Sequence, residues 1–312
     1  MLVQMVEASG RPGYQRAPRQ LQDWVERELG SPVVSATSQP GGFSPGLAAR
    51  LVTADGSRAF VKAIATSRHA ATAALHRYEC QAMLAIPPGP ALPRLYATYD
   101  DGEWVGLLLE DVEGRHPVPW TLADAHRVVT AIDLRVSAFT PSPWPEAQRL
   151  EDAPRIRTSW WSQATEDLLP SWVRAHRRQL IALEERVPAA VRGQTLCHRD
   201  VLAENILLTP AGGVVFVDWA WASQGAAWID TLNLICGVAM DGTDIDVDGL
   251  ISACPQTRDI EPELLTAYLA NSAGSAYVKA QPSGPEDIPA LLAWRKRRAT
   301  ALLDWLQRRT GW

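Results

Sequence analysis

The sequence predicts an α+β protein in two parts, a small β-rich unit with one inserted helix and then a larger, mainly helical region. Three observations predict it. Residues 47–64, LAARLVTADGSRAFVKAI, read as two strands joined at Asp55-Gly56, the turn chemistry that tight hairpins prefer. Residues 67–85 are Ala-rich and contain neither Gly nor Pro, so a helix follows the hairpin. After Trp120, apolar positions recur at helical spacing over most of the chain.

Taken in order, PRQLQDWVEREL at 18–29 alternates apolar and charged positions at helical spacing, and Gly30 is its stop. Residues 1–30 therefore read as an N-terminal helical extension, 31–113 as the β-rich unit and 114–312 as the helical unit. Pro87-Pro88-Gly89-Pro90 ends the inserted helix. WVGLLLEDV at 104–112 reads as a buried strand, with Tyr96–Tyr99 as its partner, and HPVPW at 116–120 marks the boundary. Helices are expected at 121–139, 159–169, 172–187, 226–240, 261–279 and 286–309. A hairpin, Ile206–Leu208 and Val214–Val217, interrupts them.

At 312 residues the chain suits two units of roughly 150 residues each. Thirty basic against 35 acidic residues give a net charge of −5, with no basic excess to argue for nucleic acid or an anionic membrane. Cysteines at 80, 197, 236 and 254 form no CxxC pair, which suggests free thiols in a reducing compartment. The N-terminus lacks an apolar signal region, and no run approaches the ~18 apolar residues of a membrane helix. A cytoplasmic protein, monomer or homodimer, is the expectation.

Three stretches could share one phosphate. In QPGGFSPGLAAR, 39–50, the turn Gly41, Gly42, Phe43, Ser44 and Gly46 can bring backbone N–H groups close to a phosphate. It matches neither GxGxxG nor a Walker motif, and by itself is equally a hairpin turn. Lys62, on a strand beside that turn, can reach nucleotide phosphates if a carboxylate holds it. Glu79 is the only acid between Lys62 and Asp100. A solvated Lys and Glu is the plainer alternative. The third stretch is CHRDVLAENILLTPAGGVVFVDW, 197–219. Asn205 and Asp218, at opposite ends of the hairpin, can offer oxygen ligands to Mg²⁺. Asp200 stands one loop away, placed to accept a proton from an attacking hydroxyl.

HRDxxxxN at His198–Asn205, followed by Asp218-Trp219 just past a strand, resembles the catalytic segment of the protein-kinase-like superfamily. The chain looks most like its aminoglycoside phosphotransferase (phosphotransferase enzyme) family, over roughly residues 30–310. The resemblance implies a bilobal protein-kinase-like fold with a β-rich N-lobe and a helical C-lobe. It implies Asp200 as catalytic base, Asn205 and Asp218 as Mg²⁺ ligands, and Lys62, oriented by Glu79, on the phosphates of ATP or GTP. Glu110, Asp111 and Val112 would form the hinge whose backbone meets adenine. The implied partners are a nucleoside triphosphate and a small-molecule hydroxyl acceptor, aminoglycoside-like or otherwise cationic or sugar-bearing. The alternative is a nucleotide-binding pseudokinase acting as a partner or sensor.

Two departures from the family pattern stand out. Arg199 follows the loop histidine where the family often has Gly. Of the G-D-P-x-x-D segment only the second acid is kept, as Asp230, for which a supporting role under the catalytic loop is expected. No Ala-Pro-Glu segment follows Asp218, which argues against a regulated protein kinase. In DGTDIDVDG, 241–249, an EF-hand beginning at Asp244 would put Pro255 where Glu is needed, so a loop capping the next helix is expected. RKRR at 295–298 reads as a solvated helix face, and histidines 69, 76, 116, 126 and 176 as surface or packing residues.

Overall fold

The computed structural model describes residues 11–39, 44–241, 244–282 and 289–312. The chain forms two compact units, and it does not divide at one point. Ala203–Ala222 belong with the unit that runs to His116, and Pro117–Leu202 with Ser223–Trp312 form the other. The sequence division at 113/114 had placed everything after it in one part.

The first unit is built on an antiparallel sheet of β1 (Val33–Ser38), β2 (Leu47–Thr53), β3 (Arg58–Ala65), β4 (Leu95–Asp100) and β5 (Trp104–Glu110), in the order β1-β2-β3-β5-β4. The β2–β3 turn falls where Asp55-Gly56 was read. Gly56 adopts φ +85°, and Asp55 accepts from Thr53 Oγ1 at 2.6 Å and from Ser57 N–H at 3.0 Å. Side chains alternate across β3. Ala59, Val61 and Ala63 face a core that contains Leu21, Trp24 and Val25 of the helix Arg19–Leu29. That helix is thus part of the sheet's packing rather than an extension. Ile64 faces the other way, into a cluster with Ala73 of the helix Ala70–Ala85. Lys62 shares the parity of Ile64, so the strand's period alone sends it toward that helix.

β7 (Ile206–Leu208) and β8 (Val214–Phe216) form the hairpin, one residue shorter than expected. Main-chain bonds tie it to the first unit. Arg115 and Leu208 exchange N–H···O bonds of 3.1 and 2.8 Å, and Phe216 N–H donates to Ala91 O at 2.9 Å.

In the second unit, helices Leu122–Ala138, Ile229–Met240, Pro262–Lys279 and Pro289–Thr310 lie close to their expected spans. The regions at 159–169 and 172–187 do not. The first breaks into Trp160–Gln163 and a 3-10 turn, because side chains of the following helix satisfy its backbone. Arg177 donates to the carbonyls of Trp161, Ser162 and Ala164, and Glu184 accepts from the N–H groups of Trp160 and Trp161. The second breaks at His176, whose Nδ1 donates to the Trp172 carbonyl at 2.9 Å while its ring stacks on Trp312. β6 (Thr195–Cys197) pairs with β9 (Ser223–Gly225), two short strands absent from the sequence reading.

RKRR is a solvated face only in part: Lys296 and Arg297 are exposed. Arg298 is buried and Arg295 half-buried. Arg298 falls in the helix's inward stripe, four residues before Leu302 and seven before Trp305. The loop after 240 does cap the next helix, Asp246 accepting from Gly249 N–H at 3.0 Å. The four cysteines are free thiols. Among the described residues no helix is long and apolar enough to cross a membrane.

Candidate active site

In the first unit the strand and helix geometry brings three of the sequence-selected side chains together. Lys62 Nζ lies 2.7 Å from Glu79 Oε2 and 3.2 Å from Asp218 Oδ1. Glu79 is 1% exposed and accepts also from the Trp219 backbone N–H, while the Asp218 side chain remains 42% exposed. Burial alone would lower the pKa of Lys62. Asp218 and then Glu79 outweigh it, so the ammonium stays charged, whereas burial pushes the carboxyl of Glu79 up. Two of three charges are thus held inside the protein, and the third faces outward.

The segment that follows Asp218 is held by a helix residue and by the end of the hairpin. Tyr78 OH donates to Ala222 O at 2.8 Å, and the buried indole of Trp219 donates to Phe216 O at 3.0 Å. Asp218 itself has φ +69°, a left-handed conformation that costs a non-glycine residue on the order of 1 kcal/mol or more. At the hairpin's other end, Val217 N–H donates to Asn205 O at 3.0 Å, one residue from Asp218. The preceding turn is held by His116, whose Nδ1 lies 3.1 Å from Ala203 O and 3.0 Å from Ile206 O. A carboxylate and a carboxamide, both hard oxygen donors and one partly exposed, fit the few-ligand habit of Mg²⁺.

Gly41, Gly42 and Phe43 lie outside the described residues. Ser44 Oγ accepts from Gly46 N–H at 3.3 Å, and a Cβ on Gly46 would stand 2.8 Å from Ala63 O. Gly46 is therefore required by the approach of β2 to β3. Of the three residues expected to form a hinge, Asp111 turns its carboxylate inward to Arg58, at 2.7 Å, and Arg50, at 3.1 Å. Glu110 exchanges main-chain and side-chain bonds with Arg94. Both side chains brace the segment and leave its backbone as the part a ligand could use.

Sequence reasoning missed two neighbours of this constellation. His76, read as a surface or packing residue, is buried one turn before Glu79. Burial and then the charge of Lys62 bring its pKa down to about 4, so the ring is neutral, with Nδ1 donating to Thr72 O at 3.1 Å. Arg11, from the segment before the first helix, lies within electrostatic reach of Asp218. The position of His76, three residues before Glu79 on one helix, is the signal that could have found it.

The second unit carries Asp200 on the loop after β6. Asp230 anchors that loop. Its carboxylate accepts from the backbone N–H groups of His198, at 2.6 Å, and Arg199, at 2.8 Å, and pairs with the buried Arg135 at 2.5 Å. Asn233 Nδ2 donates to Arg199 O at 3.1 Å. Arg199 has φ +70°, which explains why glycine suits this position. Asp200 N–H donates to the buried His198 ring at 3.3 Å, so the loop turns on its own histidine.

A five-stranded sheet with an internally paired Lys62, and a helical unit with a carboxylate-anchored loop, define an α+β protein of the protein-kinase-like class. The model of the phosphotransferase enzyme family matches residues 40–258, and the chain belongs to that family. It is an enzyme of the small-molecule phosphotransferase class. No curated protein matches the chain by sequence. Among solved structures it is similar to choline kinase LicA from Streptococcus pneumoniae, at 14% identity over 93% of this chain and 98% of that one, with a TM-score of 0.62. It is also similar to a spectinomycin phosphotransferase solved with ADP and spectinomycin, at 10% identity over 91% and 98%, TM-score 0.59. A third likeness is macrolide 2′-phosphotransferase MphH from Brachybacterium faecium, at 15% identity over 91% and 98%, TM-score 0.57. At these identities the likeness is one of fold.

Proposed function

We propose that the enzyme moves the γ-phosphoryl group of ATP or GTP to a hydroxyl of a small molecule. The observation that carries this reading is the Lys62–Glu79–Asp218 constellation, with ion pairs of 2.7 and 3.2 Å. Lys62, kept charged by two carboxylates, binds nucleotide phosphates, and Glu79 fixes its direction. The backbone of Glu110–Val112 meets the base. The ADP-bound spectinomycin phosphotransferase supports a nucleotide co-substrate on this fold.

Asn205 and Asp218 would hold Mg²⁺, which supplies charge neutralisation to the phosphates when bound. Asp200 accepts the acceptor's proton as the hydroxyl oxygen bonds to the γ-phosphorus. The bond from that phosphorus to the β–γ bridging oxygen breaks, and a nucleoside diphosphate leaves. The rate gain comes from positioning and electrostatics, so the strained conformations at Asp218 and Arg199 serve to aim side chains.

The test is a screen of hydroxylated metabolites and antibiotics for nucleotide consumption, repeated with Asp200→Asn. The variant is expected to lose at least ~100-fold in turnover while still binding nucleotide. Equal turnover by both proteins would remove Asp200 from the role of base.

A further inference from the structure

The chain pairs its buried cations with care in two places, Lys62 with Glu79 and Arg135 with Asp230. A third group departs from this habit. Arg298 is 9% exposed, and among the described residues its guanidinium makes no hydrogen bond or ion pair, only a 5.6 Å approach to the Trp294 ring. The Lys279 ammonium lies 5.1 Å from the Trp160 ring, again with no carboxylate partner among the described residues. The indole of Trp160 donates to Arg155 O at 2.9 Å, which fastens the Arg155 turn beside Lys279. Arg155 is half-buried and likewise has no ion pair among the described residues. Arg295 Nη1 donates to Lys279 O at 3.4 Å.

These cations feel one another. Lys279 is exposed as a residue, but its ammonium sits against the Trp160 ring. Burial, and then the charges of Arg155, Arg295, Arg298 and Arg199, push its pKa down to about 8. Burial, then Arg155, also lowers that of Arg298, while Asp200 acts on it in the opposite sense. The charge of Asp200, the carboxylate proposed as the base, thus reaches Arg298 within the same unit. An arginine cannot shed its proton, so a buried, unpaired guanidinium calls for an anion from elsewhere. Guanidinium forks match carboxylate and phosphate oxygens.

We propose that the acceptor is an anion, a hydroxyl compound carrying a phosphate or carboxylate group that Arg155, Lys279 and Arg298 bind beside Asp200. This rests on the phosphotransferase reading and names its substrate class. The charge at this place has the sign opposite to that a cationic acceptor needs.

The test follows the melting temperature of the full chain at fixed ionic strength, with Mg²⁺ and a non-hydrolysable nucleotide at saturation. The probes are sulfate, glycerol 3-phosphate and gluconate, against choline and kanamycin. The anions are expected to raise the melting temperature in a saturable way. The rise should fall at least ~10-fold in apparent affinity in Lys279→Gln and Arg298→Gln, about 1.4 kcal/mol. Arg157→Gln, which removes an exposed cation paired with Asp152 at 2.6 Å, should keep the full response. Lys279 is exposed, so its variant keeps the test valid if Arg298→Gln does not fold. A stronger response to glycerol 3-phosphate or to gluconate assigns phosphate or carboxylate. The proposal is overturned if no anion shifts the melting temperature, if the shift survives both variants, or if choline or kanamycin gives the response instead. It is also overturned if anions act only on Glu286→Gln/Asp287→Asn, since those two acids, outside the described residues, would then be the counter-charge. The shift produced by nucleotide alone reports separately on the phosphotransferase reading. If that shift is present and the anion response absent, only the anionic acceptor is lost.

Discussion

Asp230 joins the buried guanidinium of Arg135 at 2.5 Å and holds two consecutive backbone N–H groups of the loop that carries Asp200. One carboxylate thus neutralises a buried cation and shapes a strained turn, in which Arg199 has φ +70° and both its N–H and its carbonyl are bound. Asp230→Asn removes the carboxylate that pairs with Arg135 and should lower stability by about 3–5 kcal/mol in urea unfolding, with turnover falling alongside. Arg135→Met in the same background should recover part of the stability and none of the turnover, since the loop N–H groups still lack their carboxylate. Full recovery of both would show that Asp230 serves only Arg135.

Much of this was legible because the chemistry is local in the chain. Strand alternation in β3 sends Lys62 toward the helix that carries the only acid before Asp100, and the spacing from Asp200 to Asp218 spans a single short hairpin. What escaped is what tertiary contacts decide. Helical periodicity at 159–169 and 172–187 gives no sign that Arg177 and Glu184 would take over the backbone bonds of Trp160–Ala164. RKRR looks uniform as composition, yet the helical period selects Arg298 alone for the stripe of Leu302 and Trp305. Arg11 reaches Asp218 across a separation in sequence that no local pattern reports.

Asp218 pairs with Lys62 at 3.2 Å, and in the proposed reading the same carboxylate also serves a metal ion. Mg²⁺-nucleotide should raise the melting temperature of the wild type, with about 2.7 kcal/mol of stabilisation at a hundredfold excess over Kd. Asp218→Ala should lose most of that rise. Nucleotide added with EDTA should give a smaller shift in the wild type and the same small shift in the variant. An undiminished Mg²⁺-dependent rise in Asp218→Ala would take this residue out of the metal site.

Gly46 offers a test that separates folding from ligand binding. A Cβ there meets Ala63 O at 2.8 Å, and that oxygen belongs to a strand backbone that cannot swing aside. Gly46→Ala should cost about 1–3 kcal/mol by thermal or urea unfolding in the absence of any nucleotide. Gly56, with φ +85° and open space around it, should respond differently. Gly56→Asn should be tolerated within about 1 kcal/mol, because asparagine accepts the left-handed region. If Gly46→Ala is neutral in the apo protein and weakens only nucleotide binding, the glycine serves the ligand rather than the sheet.

Glu184 makes the stability depend on pH. It is 4% exposed, and burial pushes its pKa up to about 7 although it accepts from Trp160 and Trp161 N–H and from Ser159 Oγ. The folded state therefore holds a proton there that the unfolded chain releases near 4.5. Its contribution is fully present below that lower value and is lost as pH rises through about 7. In urea unfolding, Glu184→Gln should flatten the fall of stability between these two pH values, since Gln is neutral throughout. It should also lower stability at acid pH by about 1 kcal/mol, because one amide oxygen replaces two acceptor oxygens. An identical slope in variant and wild type would mean that Glu184 ionises in the fold as readily as in water, and that its three donors outweigh its burial.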